Sequence, residues 1–251
     1  MIVFTRECRI LITGASSGIG RAIALTCNAL GAAVIANGRD RDKLEAVKGE
    51  SKHPDAFHVE PLDLLTDLDA LPFWVKELQE RYGKLRGLVC CAGQAGIMPL
   101  REYSYAQARH LFDINFHAPL LLAKGFADRR NNVGSGSGII FISSAAAIAK
   151  EAGLAAYGGA KAALITAMES LSKEYASQGI RVNALAPAVV QTPMGQAFLD
   201  LLSEEGMQKE QAAYPLGIGE PEDVANMAVF LLSDAGKWIT GQTIVMDGGR
   251  Y

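Results

Sequence analysis

Tyr157 and Lys161 lie four residues apart in a stretch, Leu154 to Ser177, rich in Ala, Leu, Met, Lys and Glu. That composition predicts a helix in spite of Gly158 and Gly159. On a helix such a pair shares one face, about one turn apart, so phenol and ammonium point the same way. A free tyrosine titrates near pH 10 and would have to fall by roughly 3 units, about 4 kcal/mol, to exchange protons near neutrality. A cation about 4 Å away, at an effective dielectric of about 20, supplies roughly that much. Lys161 can thus make Tyr157 an acid/base. The same spacing also occurs on ordinary solvated helix faces, so the chemistry depends on what else the chain holds.

The elements that must position this pair can be read from the start of the chain. Ile10-Leu11-Ile12 is a continuous apolar run, as expected of a strand buried on both faces. Thr13-Gly14-Ala15-Ser16-Ser17-Gly18-Ile19-Gly20 follows, and then a helical stripe of Ile19, Ile23, Cys27 and Leu30. Strand, glycine-rich turn and helix is the order of a dinucleotide phosphate site, here spaced Gly-x-x-x-Gly-x-Gly. Gly14 permits the turn, Gly18 lets the backbone approach a pyrophosphate, and Gly20 lets helix and strand pack closely. The helix start offers free N–H groups and a positive dipole end.

Ala33–Ala36 reads as a second strand, followed by Asn37-Gly38-Arg39-Asp40-Arg41. A ribose-binding acid would stand near here, about 20 residues past the glycine turn. Gly38 leaves room instead, and Arg39 and Arg41 bring positive charge. This favours NADP(H) over NAD(H), although Asp40 and Asp42 lie close. Further strands are expected at Phe57–Glu60, leading to Asp63 and Leu64, and at Leu88–Cys91, ending in Ala92-Gly93. Others are expected at Ile139–Ile142, ending in Ser143-Ser144, at Val182–Leu185 and at Thr243–Met246. Helices are expected over Leu64–Tyr82, with Pro72 as its start or a break, and over Tyr105–Arg129, with Asn115 inside and Pro119 as a kink. A further helix is expected over Pro221–Ser233. Residues 188–214 are irregular apart from an amphipathic piece, Gln196–Leu202, and suit a mobile lid over substrate. The glycine- and serine-rich stretch Asn131–Gly138 is a surface loop. The alternation implies an α/β fold: one doubly wound, Rossmann-type parallel sheet of about seven strands, spanning 1–251 as a single domain.

Composition narrows the function classes. The 251 residues are 49% hydrophobic and 20% charged, with a net charge of −3 and no basic block, which argues against a nucleic-acid partner and against disorder. Cys8, Cys27, Cys90 and Cys91 form no CxxC pair and read as reduced thiols. His53, His58, His110 and His117 make no metal-like pattern with them, so no metal is expected. The N-terminus lacks a signal-peptide layout, and no run of about 18 apolar residues predicts a membrane span. A soluble cytoplasmic protein is expected.

Taken in order, Thr13-Gly14-x-x-x-Gly18-x-Gly20, Asp63, Ala92-Gly93, Asn115, Ser144, Tyr157-x-x-x-Lys161, Pro187 and Thr192-Pro193 resemble the classical short-chain dehydrogenase/reductase family. The resemblance runs from about Arg9 to Gly249 and is nearest to the 3-oxoacyl-carrier-protein reductase-like members. It implies a set of roles. Tyr157 gives a proton to a carbonyl oxygen. Lys161 lowers its pKa and holds the nicotinamide ribose. Ser144 stabilises negative charge on the substrate oxygen, and Asn115 supports a water-linked proton relay. For the cofactor, Gly14, Ser16, Ser17, Gly18, Ile19, Gly20, Ala92 and Gly93 would line the phosphate and adenosine path. Asp63 and Leu64 would meet adenine, and Pro187, Val190 and Thr192 would meet the nicotinamide carboxamide. Three positions depart from the family: Cys90-Cys91 replaces the usual asparagines, Ala188 the usual glycine after Pro187, and Ala160 a frequent serine.

The resemblance further implies a homotetramer. Leu164, Met168 and Leu171 supply a stripe compatible with either a core or an interface. It also implies a small carbonyl or alcohol substrate, including an acyl chain on a carrier protein received by Arg129, Arg130 and Lys173. Two other readings stand beside an NADP(H)-dependent ketone reductase. One is an NAD-dependent sugar, alcohol or steroid dehydrogenase. The other is a cofactor-binding protein without turnover, which would have no need of the filled positions 144, 157 and 161.

Overall fold

In a computed structural model describing residues 2–251, the apolar runs become seven strands. These are β1 (Arg9–Ile12), β2 (Ala33–Gly38), β3 (Phe57–Pro61), β4 (Gly87–Cys90), β5 (Gly138–Ile142), β6 (Arg181–Pro187) and β7 (Thr243–Met246). All pair in parallel, in the order β3-β2-β1-β4-β5-β6-β7. The strand order reverses beside β1, between β1 and β4, and that is where such sheets open a crevice at their carboxyl ends.

The helices are α1 (Gly18–Ala29), α2 (Arg41–Glu50), α3 (Leu71–Tyr82), α4 (Tyr105–Phe112), α5 (Ala118–Ala127), α6 (Ala146–Ala149), α7 (Ala155–Tyr175), α8 (Pro193–Leu199), α9 (Glu204–Ala212) and α10 (Pro221–Leu232). The two-residue alternation along each strand divides the core. Ile10, Ile12, Val34 and Ile140 pack with Ile23 and Cys27 of α1 and Val224 and Ala228 of α10. Leu11, Ile35, Leu88 and Phe141 face the other way, onto Val75, Leu122, Phe126, Leu164 and Met168 of α3, α5 and α7. Both faces are covered, so strands that read as unbroken apolar runs are the stable choice. Leu164 and Met168 are fully buried within the chain; they belong to the core and are not available to an interface.

Three expected helices change shape. The one expected over Leu64–Tyr82 begins only at Leu71, with Pro72 in its first turn. Proline lacks the N–H and clashes one turn back, so it starts a helix more readily than it sits inside one. The one expected over Tyr105–Arg129 is α4, a π-helical turn at Asp113–His117, and α5. The interruption is therefore the widened turn carrying Asn115, and Pro119 falls in the first turn of α5. The piece expected at Gln196–Leu202 is α8, three residues earlier, where Thr192 caps it and Pro193 opens it. Residues 41–50 carry only two buried positions, Leu44 and Val47, which is too weak a pattern to signal an element, yet they form α2 under an Asp40 cap.

Candidate active site

One cavity of about 680 Å³ opens at the carboxyl ends of the strands, and every catalytic and cofactor-binding residue expected from the sequence lines it. Its floor is the turn between β1 and α1. Gly14 has φ +68° and Gly18 φ +53°, a region that side chains rarely enter. A Cβ on Gly14 would meet the Ala92 nitrogen at 2.8 Å, and one on Gly20 would stand 2.3 Å from the Gly14 carbonyl. The close approach made by Gly20 is thus to the turn itself. Ser17 precedes α1 without a side-chain cap, and no acidic residue stands in the first turn. The N–H groups and the dipole of that end remain available to an anion. The residues present fit a dinucleotide pyrophosphate.

At the end of β2, Arg39 lines the same cavity and takes part in no ion pair among the described residues. Its neighbours are engaged: Asp40 accepts from the Lys43 N–H at 3.1 Å and Arg41 lies 4.0 Å from Glu45. A Cβ on Gly38 would come within 3.2 Å of Ser16 Oγ. The glycine therefore holds Ser16 beside the Arg39 loop, giving a hydroxyl and an uncompensated guanidinium in one corner. Asp63 is exposed at the rim, and its Oδ1 accepts from the Leu65 N–H at 3.0 Å.

Thr13 Oγ1 accepts the N–H groups of Cys91 and Ala92, each at 3.1 Å, which ties the β1 end to the β4 end without an asparagine. Asn115 is fully buried in the π turn. Its Nδ2 donates to the carbonyls of Gln94 at 2.9 Å and Leu111 at 3.0 Å, and its Oδ1 accepts from the Gln94 N–H at 3.3 Å. A Cβ on Gly93 would meet Asn115 Oδ1 at 2.7 Å and Lys161 Nζ at 3.4 Å. Gly93→Ala is expected to dislodge this clamp. Overpacking costs about 1–3 kcal/mol, so both melting temperature and kcat/KM should drop; an unchanged pair of values would show that the loop tolerates the methyl.

Ser144 stands just beyond β5, and its Oγ accepts from the Ala146 N–H at 3.2 Å, which leaves the hydroxyl proton to be donated toward Tyr157 or a substrate. Lys161, buried in α7, donates from Nζ to the Ile142 carbonyl at 2.8 Å and lies 5.9 Å from the centre of the Tyr157 ring. Burial pushes its ammonium down to about 8, against the pull of the Cys91 and Cys90 thiols. Tyr157 departs from the sequence expectation. Burial raises its phenol above the ordinary value, against the pull of the Ser144 hydroxyl and with the Cys91 thiol adding to the rise. The ammonium is turned to the Ile142 carbonyl, so desolvation decides and the phenol stays protonated at neutral pH.

At the end of β6, the Pro187 carbonyl accepts from the Ala145 N–H at 2.9 Å. Thr192 Oγ1 donates to the Val190 carbonyl at 3.2 Å and accepts from the Gly195 N–H at 3.0 Å. The expected lid segment contains α8 and α9. Among the polar residues of the cavity that no sequence motif signalled are Gln94, Glu151, Glu210, Tyr214 and Arg250. They come from four separate segments, so only folding assembles them. The expected carrier-binding residues do not join the cavity. Arg129 and Arg130 follow α5 at the amino end of β4, where Asn131 meets Leu85, and Arg130 pairs with Asp128 at 2.6 Å. Lys173 stands sixteen residues after Tyr157 on α7, about 24 Å along the helix.

Comparison with known proteins agrees with this geometry. A family model described as enoyl-(acyl carrier protein) reductase matches residues 14–250. A 3-oxoacyl-[acyl-carrier-protein] reductase of Rickettsia felis is 37% identical over 242 residues, covering 95% of each chain. A 2-keto-3-deoxy-L-fuconate dehydrogenase of Xanthomonas campestris is 35% identical over 253 residues, covering 96% of this chain and 79% of that one. Among solved structures, a short-chain dehydrogenase/reductase of the glucose/ribitol dehydrogenase type from Brucella melitensis superposes with a TM-score of 0.91 at 30% identity, covering 100% and 99% of the two chains. No helix among the described residues is long and apolar enough to cross a membrane. With a family match over nearly its whole length and the family's sheet and crevice, the chain belongs to the short-chain dehydrogenase/reductase family and is an NAD(P)-dependent oxidoreductase.

Proposed function

We propose that the protein reduces a ketone to a secondary alcohol with NADP(H), using Tyr157 as the proton donor. The observation carrying this reading is the meeting of Tyr157, Ser144 and Lys161 in one cavity that runs on to the bare start of α1. The nicotinamide cofactor supplies the hydride. The chain's own residues do the rest. The protonated phenol gives its proton to the carbonyl oxygen, and Ser144 donates its free O–H to the same oxygen as charge develops. Lys161 would hold the ribose with its ammonium, while Asn115, through Gln94, fixes the loop beside it and supports the proton relay. Gly14 to Gly20, Ala92 and Gly93 would hold the pyrophosphate and adenosine, Asp63 and Leu64 the adenine, and Pro187, Val190 and Thr192 the carboxamide. The segment 188–214 acts as the lid, within a single domain of residues 1–251.

The ground for NADP(H) is the free Arg39 beside Ser16. A 7α-hydroxysteroid dehydrogenase solved with NADH is 28% identical to this chain with a TM-score of 0.90, so the cofactor corner has to be tested directly. Arg39→Asp is expected to weaken NADPH binding by about 10–100-fold, the range of a charged hydrogen bond, and to leave NADH nearly unchanged in fluorescence titration. An unaltered ratio would place the 2′-phosphate elsewhere.

A carrier-bound 3-oxoacyl thioester is the substrate favoured by the relatives' names. Arg129, Arg130 and Lys173 could reach a cavity mouth only from another subunit, so this reading goes with the homotetramer. The unpaired outer edge of β7 and the exposed Trp238 and Val245 support assembly. Sedimentation measures it. The four free cysteines are in keeping with a reducing, cytoplasmic setting.

A further inference from the structure

The substrate end of the cavity has two unlike walls. Ile97, Leu154, Met194, Phe198 and Leu201 make one apolar. The other carries Glu151, Glu210, Tyr214, Arg250 and Tyr251, and Arg250 organises it. Its Nη1 donates to Glu210 and, at 2.8 Å, to the Tyr214 hydroxyl; its Nη2 donates to Glu151 Oε1 at 2.7 Å. The guanidinium lies 5.1 Å from the ring centres of both Tyr214 and Tyr251. The Arg250 and Glu210 side chains are only 13% and 11% exposed. Three segments are thereby joined: α9 through Glu210, the turn before α7 through Glu151, and the chain after β7.

One cation against two carboxylates leaves this wall net negative, and the Arg250 charge is already matched. Among the described residues the second carboxylate oxygens, Glu151 Oε2 and Glu210 Oε2, accept no hydrogen bond. Neither is a buried atom, so both can be reached from the solvent side of the cavity. Tyr214 registers the same surroundings: burial, with Tyr251 and the carboxylates of Glu151 and Asp247 adding to it, pushes its phenol up to about 12 against the pull of the Val189 N–H.

We propose that this wall selects ketones bearing a neutral hydrogen-bond donor, a hydroxyl or an amide N–H, and rejects those with a carboxylate or phosphate at that end. The inference rests on the reading that a ketone binds beside Tyr157. A donor completes the free carboxylate valences through charge-assisted bonds. An anion meets two carboxylates and reaches Arg250 only by displacing one of them, so the wall works by repulsion as much as by attraction. The same donor chemistry has two sources: the hydroxyls of a polyhydroxylated ketone, or the amide of an acyl thioester arm.

Four compounds separate these outcomes in NADPH-dependent assays of kcat/KM: acetoacetyl-N-acetylcysteamine (amide donor), fructose (hydroxyl donors), ethyl acetoacetate (neutral, no donor) and acetoacetate (anion). One of the two donor compounds is expected to lead, and which one leads names the source. Acetoacetate should trail the ester by on the order of tenfold or more. Glu210→Gln keeps size and an acceptor for Arg250, and Glu151→Gln does so at a less buried site. Each should raise acetoacetate relative to the ester by on the order of tenfold. Equal use of ester and acetoacetate by the wild type, or a ratio unmoved in both variants, overturns the proposal. If no ketone is reduced, the proposed activity fails separately, and calorimetric titration with the same compounds decides the wall's preference: neutral donors binding above acetoacetate sustains it, and no preference overturns it.

Discussion

Tyr157→Phe is expected to lower kcat for ketone reduction by about 10²–10⁴-fold, the range of one positioned acid, while NADPH binding stays nearly unchanged. The substitution removes only a hydroxyl. The ring remains partly buried at the start of α7, where Gly158 packs so closely on α6 that a Cβ there would stand 2.8 Å from the Ala146 carbonyl. Lys161 keeps its bond to the Ile142 carbonyl, and Ser144 keeps its N–H from Ala146. Geometry, charge and cofactor path are conserved, so the lost rate reports the proton alone. A titration of NADPH fluorescence beside single-turnover reduction separates binding from chemistry. Normal reduction by the variant would mean that another group, with Ser144 the nearest hydroxyl, supplies the proton.

The raised Tyr157 pKa also bears on direction. A phenol kept protonated by burial is ready to donate to a carbonyl oxygen, whereas oxidation of an alcohol first requires it to lose that proton. Under the proposed mechanism, oxidation is therefore expected to quicken as pH rises while reduction holds up at neutral pH, a dependence that the i, i+4 spacing could not reveal. Spacing shows that Lys161 and Tyr157 share a helix face. It does not show that the ammonium turns toward a strand carbonyl, because that carbonyl comes from β5, nineteen residues before Lys161.

The same division runs through the rest of the molecule. The strands were legible because burial on both faces makes each an unbroken apolar run, as in Ile10-Leu11-Ile12 and Ile139–Ile142. The glycine turn was legible because Gly14 and Gly18 adopt backbone conformations that other residues avoid. Helix interiors with a broken pattern were less so. The π turn around Asn115 has no sequence signature of its own; it exists because the Asn115 amide bonds the Leu111 carbonyl and a loop after β4. The Arg250 cluster was invisible, since Glu151, Glu210 and Arg250 are scattered over a hundred residues and each alone reads as a surface charge. Arg129, Arg130 and Lys173 show the converse: a position matched to a family indicates a place along the chain, and in this fold that place is the far end of the sheet.

Lys161→Met is expected to abolish useful turnover and, at the same time, to raise the melting temperature of the protein at neutral pH. A buried ammonium whose partner is a neutral carbonyl destabilises the fold, because its charge is poorly solvated. The folded pKa is about 8 and the ordinary value is 10.5. The unfolded chain therefore binds more protons between these values, and stability rises with pH across that window. The penalty is fully present below about 8 and gone above 10.5, and a gap of this size corresponds to about 3 kcal/mol. Methionine removes the penalty and fills the space, but it leaves the Ile142 carbonyl without its donor, which costs back about 1–3 kcal/mol. The net gain is small and positive, a few degrees at this chain length. The decisive feature is its pH dependence: the advantage of the variant should shrink as pH rises through the window and reverse above it, where the neutral amine of the wild type still donates to the Ile142 carbonyl and methionine does not. A variant no more stable than the wild type at neutral pH, with parallel curves at all pH values, would show that Lys161 is not held as a costly buried cation. The expected result instead marks Lys161 as a group that the fold accommodates against its own stability, which is how a residue kept for its chemistry differs from one kept for packing.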